Sequence, residues 1–438
     1  MDAVVVFTVL SVLLVVGKVL RVRFAFLQRL YLPSSVIGGL VGLAVVTALG
    51  ERAPADVTGA MRAVPGFMIN VIFATIFLGA ALPKVRDVIR LALPQLVLGQ
   101  ILAWGQYVVG LGLAGFVFVK LFGVPAAFGN LLEIGFEGGH GTVGGMAESF
   151  TAFGWEEGIA LGYTVATVGM IVGIVGGMAI IHWARGRGYV KEVRAFGSRT
   201  ESERRGIHQV ETRPSAGLQT VCCDSIDSLA WHVAIVGVSC LIGWGIRQLI
   251  PMKGFPLFPL CMIGGVLLQL GAKVMRIDLL VDRVQMERLS GAALDFLVVS
   301  AVATIRLEVV AANWQPLVIL LVTGTIWSIW AVLFIAPRIF RDFWVERGIA
   351  EFGQASGVTA TGLMLLRTVD PENKTPAAMS FGYKQLVHEP FMGGGIWTAL
   401  ALTLVYKMGW QPVFWISLGM LAFWSVVAFF IARGARRG

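Results

Sequence analysis

The chain has 438 residues, 57% hydrophobic and only 14% charged, with a mean hydropathy of +0.79 and a net charge of +9. A soluble protein of this length needs far more charge to cover its surface, so the composition excludes an ordinary globular enzyme and points to a bundle of membrane spans. The positive balance could suit a nucleic-acid partner, but its distribution, given below, argues for none.

Apolar segments of about 20 residues, the length that crosses a bilayer, recur from the start. The first, 2–20, lacks the basic leader and small-residue cleavage site of a signal peptide, and Lys18, Arg21 and Arg23 follow its apolar run. It reads as a retained span. Spans at 31–49, 64–82 and 91–119 come next. Residues 125–150 are Gly-rich and carry ionisable groups, so they make a poor continuous span. They read as a re-entrant hairpin, which a membrane tolerates only where protein or a water-filled cavity covers it.

The centre of that hairpin is Gly135-Phe136-Glu137-Gly138-Gly139-His140-Gly141-Thr142-Val143-Gly144-Gly145. Glycines there permit left-handed and tight conformations and expose backbone groups. Exposed carbonyls can ligate Na⁺, and helix N-termini can hold a carboxylate; the plainer alternative is close helix packing. Thr142 could add a hydroxyl. His140 reads equally well as a hydrogen-bonded structural histidine or a substrate contact. Residues 139–144 also satisfy G-x-G-x-x-G, but no strand precedes them, so a dinucleotide site is dismissed. In the following span, 158–183, Gly169, Gly173 and Gly177 have small-xxx-small spacing, a packing surface.

Residues 184–228 mix Arg, Glu and Ser with little apolar periodicity and are expected to be a flexible cytoplasmic linker. Cys222 and Cys223 lie there, Cys240 and Cys261 lie in apolar runs, and the four form no disulfide framework or zinc spacing.

Spans then follow at 229–250, 255–272, 290–310 and 315–336. Residues 346–368 are expected to form a second re-entrant hairpin. It contains the hydroxyls of Ser356, Thr359 and Thr361, oxygens that suit a hard monovalent cation, although each could instead bond back to its own helix. Spans at 377–406 and 413–432 complete eleven. Charges within spans are functional hypotheses by default. Arg306 and Glu308 fall in the eighth, where Arg306 is a candidate clamp for a substrate carboxylate. Lys384 and His388 lie one turn apart in the tenth, ahead of Glu389 and the helix-breaking Pro390. A local ion pair and a substrate- or proton-linked role are both open there.

The two halves echo each other. Pro33-Ser34-Ser35-Val36-Ile37-Gly38-Gly39-Leu40 returns as Pro259-Leu260-Cys261-Met262-Ile263-Gly264-Gly265-Val266. Ala74-Thr75-Ile76 returns as Ala303-Thr304-Ile305, and Leu161-Gly162-Tyr163 as Phe381-Gly382-Tyr383. Each half has an odd number of complete spans, so the second must enter the membrane inverted, the recurring plan of secondary transporters. The expected organisation is an all-α polytopic membrane protein. It has an N-terminal repeat over 1–183, the linker over 184–228, an inverted repeat over 229–406 and an additional helix over 407–438.

Basic residues test the layout. With the N-terminus outside, 27 of the 35 Lys and Arg residues fall on the cytoplasmic side. They include Lys18, Arg21, Arg23, Arg29, Lys84, Arg86 and Arg90, then eight between Arg185 and Arg213. Six fall outside (Arg52, Arg62, Lys120, Arg247, Lys253, Lys407), and Arg306 and Lys384 fall within spans.

The segments 31–40 (YLPSSVIGGL), 73–76 (FATI) and 138–142 (GGHGT) resemble the bacterial sodium/glutamate symporter family. So do Ala166-Thr167-Val168-Gly169 with Gly176-Gly177, and the second hairpin. The resemblance runs in order along nearly the whole chain. It implies ten spans in two inverted five-helix repeats, a re-entrant loop in each, and a homodimer in the bacterial inner membrane. It also implies sodium-coupled uptake of glutamate or a related small organic anion by an elevator-like carrier domain. Arg306 stands where the family has a lysine. The chain departs at Gly357-Val358-Thr359-Ala360-Thr361, where the family's Gly-Ala-Thr-Pro is missing, at Lys384, His388 and Glu389, and in the extra C-terminal span.

The expected substrate contacts are therefore Gly139, His140, Gly141, Thr142, Arg306, Gly357, Thr359 and Thr361. Gly138, Gly139, Ser356, Val358 and Thr359 are the expected Na⁺ ligands. Na⁺ is the coupling ion and no cofactor is expected; lipid, the anion and a second copy of the chain are the partners. A proton-coupled carrier with Glu137, His140 or His388 titrating, an intramembrane enzyme on Glu137 and His140, and a channel or non-transporting sensor are the competing readings.

Overall fold

The computed structural model describes residues 3–80, 85–190, 200–250 and 254–437. Outside them lie residue 2, residues 81–82 of the third expected span, Lys84, Lys253, residue 438 and positions 191–199 of the linker. Among the described residues the secondary structure is helical, with no strand. The first half contains α1 (Ala3–Arg23), α2 (Ser34–Leu49), α3 (Ala55–Thr75), α4 (Val85–Leu113), α5 (Leu131–Phe136), α6 (Gly139–Gly145), α7 (Ala147–Ala152) and α8 (Glu157–Gly186). The second contains α9 (Ser228–Leu249), α10 (Phe258–Val274), α11 (Arg283–Ala303), α12 (Leu307–Ala312), α13 (Trp314–Ile339) and α14 (Trp344–Val369). It ends with α15 (Ala377–His388), α16 (Ile396–Met408) and α17 (Trp410–Arg437).

Eight helices among the described residues are long and apolar enough to cross a membrane. The expected span 255–272 is the shorter α10. The expected span 290–310 is α11, which starts at Arg283 and stops at Ala303. The expected span 377–406 is interrupted: α15 ends at His388 and α16 begins at Ile396. Pro390 cannot continue a helix, and Gly393 and Gly394 take φ of 64° and 109°, which no helix accommodates.

The chain folds as two compact units, each drawing on both halves of the sequence. In the first, α1 packs on α2 as α9 packs on α10; α2 meets α11 as α10 meets α3; and α3 and α11 pack on each other. The echoed glycines lie at these contacts. Gly38 approaches the Leu13 carbonyl on α1, and Gly264 approaches the Ser239 carbonyl on α9. Gly39 faces Val302 on α11, while Gly265 faces the Ala74 carbonyl on α3. The repeated motif thus recurs as a repeated packing, because only a residue without Cβ lets these backbones approach so closely.

The linker is less free than its composition predicts. Over its described part beyond residue 199 it belongs to the first unit. Lys18 Nζ donates to the Gly206 carbonyl (2.6 Å), Leu218 N to Asp282 Oδ1 (3.2 Å) and Thr220 Oγ1 to the Leu280 carbonyl (2.9 Å). Specific side-chain and backbone bonds hold it where apolar burial does not.

In the second unit α4 is the central helix. It packs against α13, α15 and α17, while α8 packs along α14 and α5. Val97, Leu98, Ile101, Ile181, Val332, Phe352, Leu365 and Phe381 are among the fully or nearly fully buried residues of its apolar core. Phe7, Leu121, Trp415 and Phe430 are large and exposed on membrane-length helices or their immediate extensions, as side chains that face lipid are.

Candidate functional site

The second unit contains two interrupted segments whose breaks touch. After Phe136 the helix α5 stops, and Gly139 opens α6 with a φ of 67°. Within α14 the helical path is broken at Gly357 (φ −153°, ψ 36°) and Val358 (φ 65°, ψ 169°). A β-branched side chain in this conformation stores strain of about 1–3 kcal/mol, which persists only where the surroundings enforce it. Any Cβ on Gly139 would collide with Val358 Cγ1, so the two breaks lie directly on each other.

The break in α14 doubles the chain back. A Cβ on Gly353 would lie 2.6 Å from Gly362 Cα and 2.9 Å from Leu365 Cδ1. In an unbroken helix, Gly353 and Gly362 would be about 13 Å apart along the axis. The arms on either side of Ser356-Gly357-Val358 are therefore packed together. The glycine stripe of α8 forms the wall behind them. A Cβ on Gly169 would meet the Ser356 carbonyl at 2.5 Å and the Phe136 ring at 2.6 Å, and one on Gly173 would meet Ser356 Cβ at 3.4 Å. The stripe is a packing surface, and its particular task is to seat both breaks.

Around them lies a buried polar network. Trp104 Nε1 donates to Gln100 Oε1 (2.8 Å), and Gln100 Nε2 faces His388 Nδ1 (3.1 Å). The indole can only donate, so it orients the Gln100 amide with its NH₂ toward the imidazole. His388 Nδ1 must then accept, which assigns the proton to Nε2, and Nε2 donates to Glu137 Oε1. Glu133 accepts from Tyr107 Oη (2.7 Å), Thr398 Oγ1 (2.8 Å) and the Gly393 amide (2.8 Å), tying α5 to α4 and to the interruption between α15 and α16. Thr359 Oγ1 donates to Glu389 Oε1 (2.7 Å), and Gln385 Nε2 reaches both Thr359 Oγ1 (2.5 Å) and Glu389 Oε1 (3.1 Å). Two buried oxygens beside the breaks, Ser356 Oγ and Glu137 Oε2, have no hydrogen-bond partner among the described residues.

The expected site residues separate in a definite way. Gly138, Gly139, Ser356, Gly357, Val358, Thr359 and Thr361 all belong to the second unit. Gly139 touches Val358, and a Cβ on Gly357 would lie 3.0 Å from Thr361 Oγ1. His140, Gly141 and Thr142 belong to the first unit, on α6. Gly141 there faces Ile69 Cδ1, at 2.7 Å from where a Cβ would be, which is a packing role. Arg306 is not within a helix. It is half-buried in the extended link between α11 and α12 (φ −85°, ψ 100°). α11 ends at Ala303, where Thr304 (φ −111°, ψ 14°) leaves helical geometry, so the span closes before the arginine.

Residue reading missed Glu133, Gln100 and Tyr107 as parts of the network. Glu133 is an ionisable group in apolar surroundings, and that signal alone could have flagged it.

Membrane-length apolar helices, together with a buried polar site built on interrupted segments, define a multi-pass membrane transporter. The family follows from the sequence. The profile of the sodium/glutamate symporter family matches residues 1–369, so the chain belongs to that family, whose members are transporters and not enzymes. It is 23% identical over 377 residues to the sodium/glutamate symporters of Escherichia coli (strain K12) and Shigella flexneri. The match covers 84% of this chain and 88% of each relative. The profile match ends at the end of α14, so Lys384, His388 and Glu389 lie beyond it.

Proposed function

We propose that this chain is a symporter that couples the entry of Na⁺ to the uptake of glutamate or a closely related small organic anion. The observation that carries this reading is the contact between the two breaks, with Ser356 Oγ buried beside them and without a hydrogen-bond partner among the described residues. Broken segments release backbone carbonyls from helical bonding, and carbonyls with hydroxyls are the ligands a hard monovalent cation takes. Ser356, Val358 and Thr359, with Gly138 and Gly139 opposite, are the Na⁺ ligands in this reading. Gly139, Gly357 and Thr361, all in the second unit, contribute to the substrate side.

Several features support the finer arrangement. The matched packing of α1–α2–α3 and α9–α10–α11 supports two repeats. The doubled-back arms of 346–368 support a re-entrant hairpin. The 27-to-6 split of basic residues supports an external N-terminus and a cytoplasmic C-terminus. An elevator-like mechanism needs a carrier body that holds its site intact, and the network is contained in the second unit. A homodimer follows the family pattern.

The test is uptake into proteoliposomes. An inward Na⁺ gradient is expected to drive saturable glutamate accumulation that choline cannot support; equal uptake with either cation overturns the reading.

Arg306 is the substrate's carboxylate clamp in this reading. Among the described residues it forms no ion pair, with Glu308 or any other group. Arg306→Ala is expected to weaken anion binding at least about tenfold, the equivalent of ~1.4 kcal/mol. Arg306→Lys keeps the charge but loses the two-point geometry and should fall between. Binding titrations on both variants check this, and unchanged affinity in Arg306→Ala removes the role.

A further inference from the structure

A second cluster in the second unit shares no hydrogen bond with the network above, among the described residues. Lys384, on α15, is wholly buried, and its Nζ lies 3.0 Å from Glu351 Oε2 and 2.8 Å from Gln354 Oε1. The ring of Phe381 stands with its centroid 5.6 Å from the ammonium. A charge this deep among membrane helices is costly and is retained where it has a task.

The carboxylate beside the ammonium is held independently of the lysine. Gln95 Nε2, on α4, donates to the other Glu351 oxygen (2.9 Å) and to the Arg347 carbonyl (3.0 Å), so the carboxylate is held from behind. Gln95 Oε1 is buried with no hydrogen-bond partner among the described residues, a further oxygen in the same cluster with no donor. Room for the ammonium comes from Gly99. A Cβ there would lie 2.5 Å from Lys384 Cε and 2.8 Å from Glu351 Oε2. One fixed carboxylate, an amide oxygen and an aromatic face are what a desolvated monovalent cation needs, and an ammonium is a compact cation of that kind.

We infer that Lys384 is a tethered cation. Its ammonium occupies a monovalent-cation site formed by Glu351 and Gln354, and the site takes a free cation once the lysine is removed. Glu351 thereby keeps a permanent counter-charge, and this site contributes no ion to the coupling. The inference stands apart from the Na⁺ site at the breaks and does not require it.

The experiment compares Lys384→Met with the wild-type protein and with Lys384→Met/Glu351→Gln, each purified in detergent. Melting temperatures are measured in NaCl, KCl and choline chloride at equal ionic strength. A ligand that binds only the folded state raises the melting temperature as its concentration rises. Lys384→Met is expected to gain a rise in Na⁺ or K⁺ beyond that of the wild-type protein, and the double variant should lack the gain. A Lys384→Met response to Na⁺ and K⁺ no larger than that of the wild-type protein overturns the inference. So does a gain that survives in the double variant. So does failure to recover Lys384→Met in Na⁺ and K⁺ buffers, because the cage would then not accept a free ion.

Discussion

Glu133→Ala is expected to cause the largest loss of stability of any single truncation in the polar network. The carboxylate is fully buried and accepts from Tyr107 Oη, Thr398 Oγ1 and the Gly393 amide. Removing it strands three donors in a buried site, at about 1–3 kcal/mol for each buried partner left unsatisfied. The losses are not additive, since the three share one acceptor group and a Tyr or Thr hydroxyl can rotate. A net cost of roughly 3 kcal/mol or more remains the expected outcome. Glu133→Gln is expected to be milder, because its amide oxygen can still accept from two of the donors. Thermal melting in detergent checks the order wild type, Gln, Ala. Melting of Glu133→Ala at the wild-type temperature would show that the interruption between α15 and α16 is held by other contacts.

The second large effect is expected on coupling. Thr359→Val keeps the shape of the side chain and removes the hydroxyl that donates to Glu389 and accepts from Gln385. In the proposed site this removes one Na⁺ ligand and loosens the carboxylate behind it. The Na⁺ concentration giving half-maximal uptake should rise about tenfold, corresponding to ~1.4 kcal/mol. Uptake at saturating Na⁺ should recover much of its wild-type value, and Thr359→Ser should behave nearly as wild type. A purely structural hydroxyl predicts a different result, with lower stability and an unchanged Na⁺ dependence. Measuring both quantities on the same preparations separates the two roles.

The hydroxyl of Thr359 was visible in the sequence as a candidate ligand, whereas its partners were not. That difference runs through the whole molecule. Hydropathy reports whether a stretch can lie in lipid, so most spans were legible from 20-residue windows. The breaks at Gly138-Gly139 and at Gly357 were legible because glycine marks places where helical conformation is weakest. The echo of Gly38-Gly39 in Gly264-Gly265 was legible too, and so was the packing stripe of Gly169, Gly173 and Gly177.

Composition and periodicity are local quantities, and three features were beyond their reach. Pro390 marked a break within 377–406, but the left-handed Gly393 and Gly394 that extend it into an interruption are concealed by the hydropathy of their neighbours. Arg306 sits in a link, and the position of that link depends on where α11 leaves helical geometry, at Thr304. The buried polar clusters depend on pairs such as Glu137 with His388 and Gln95 with Glu351, 251 and 256 positions apart. The amino-acid sequence by itself determined that this is a helical membrane protein with broken segments and a repeated glycine packing. Only the tertiary structure decided which buried carboxylate meets which donor, because a charge in an apolar interior persists only beside the partner that folding brings to it.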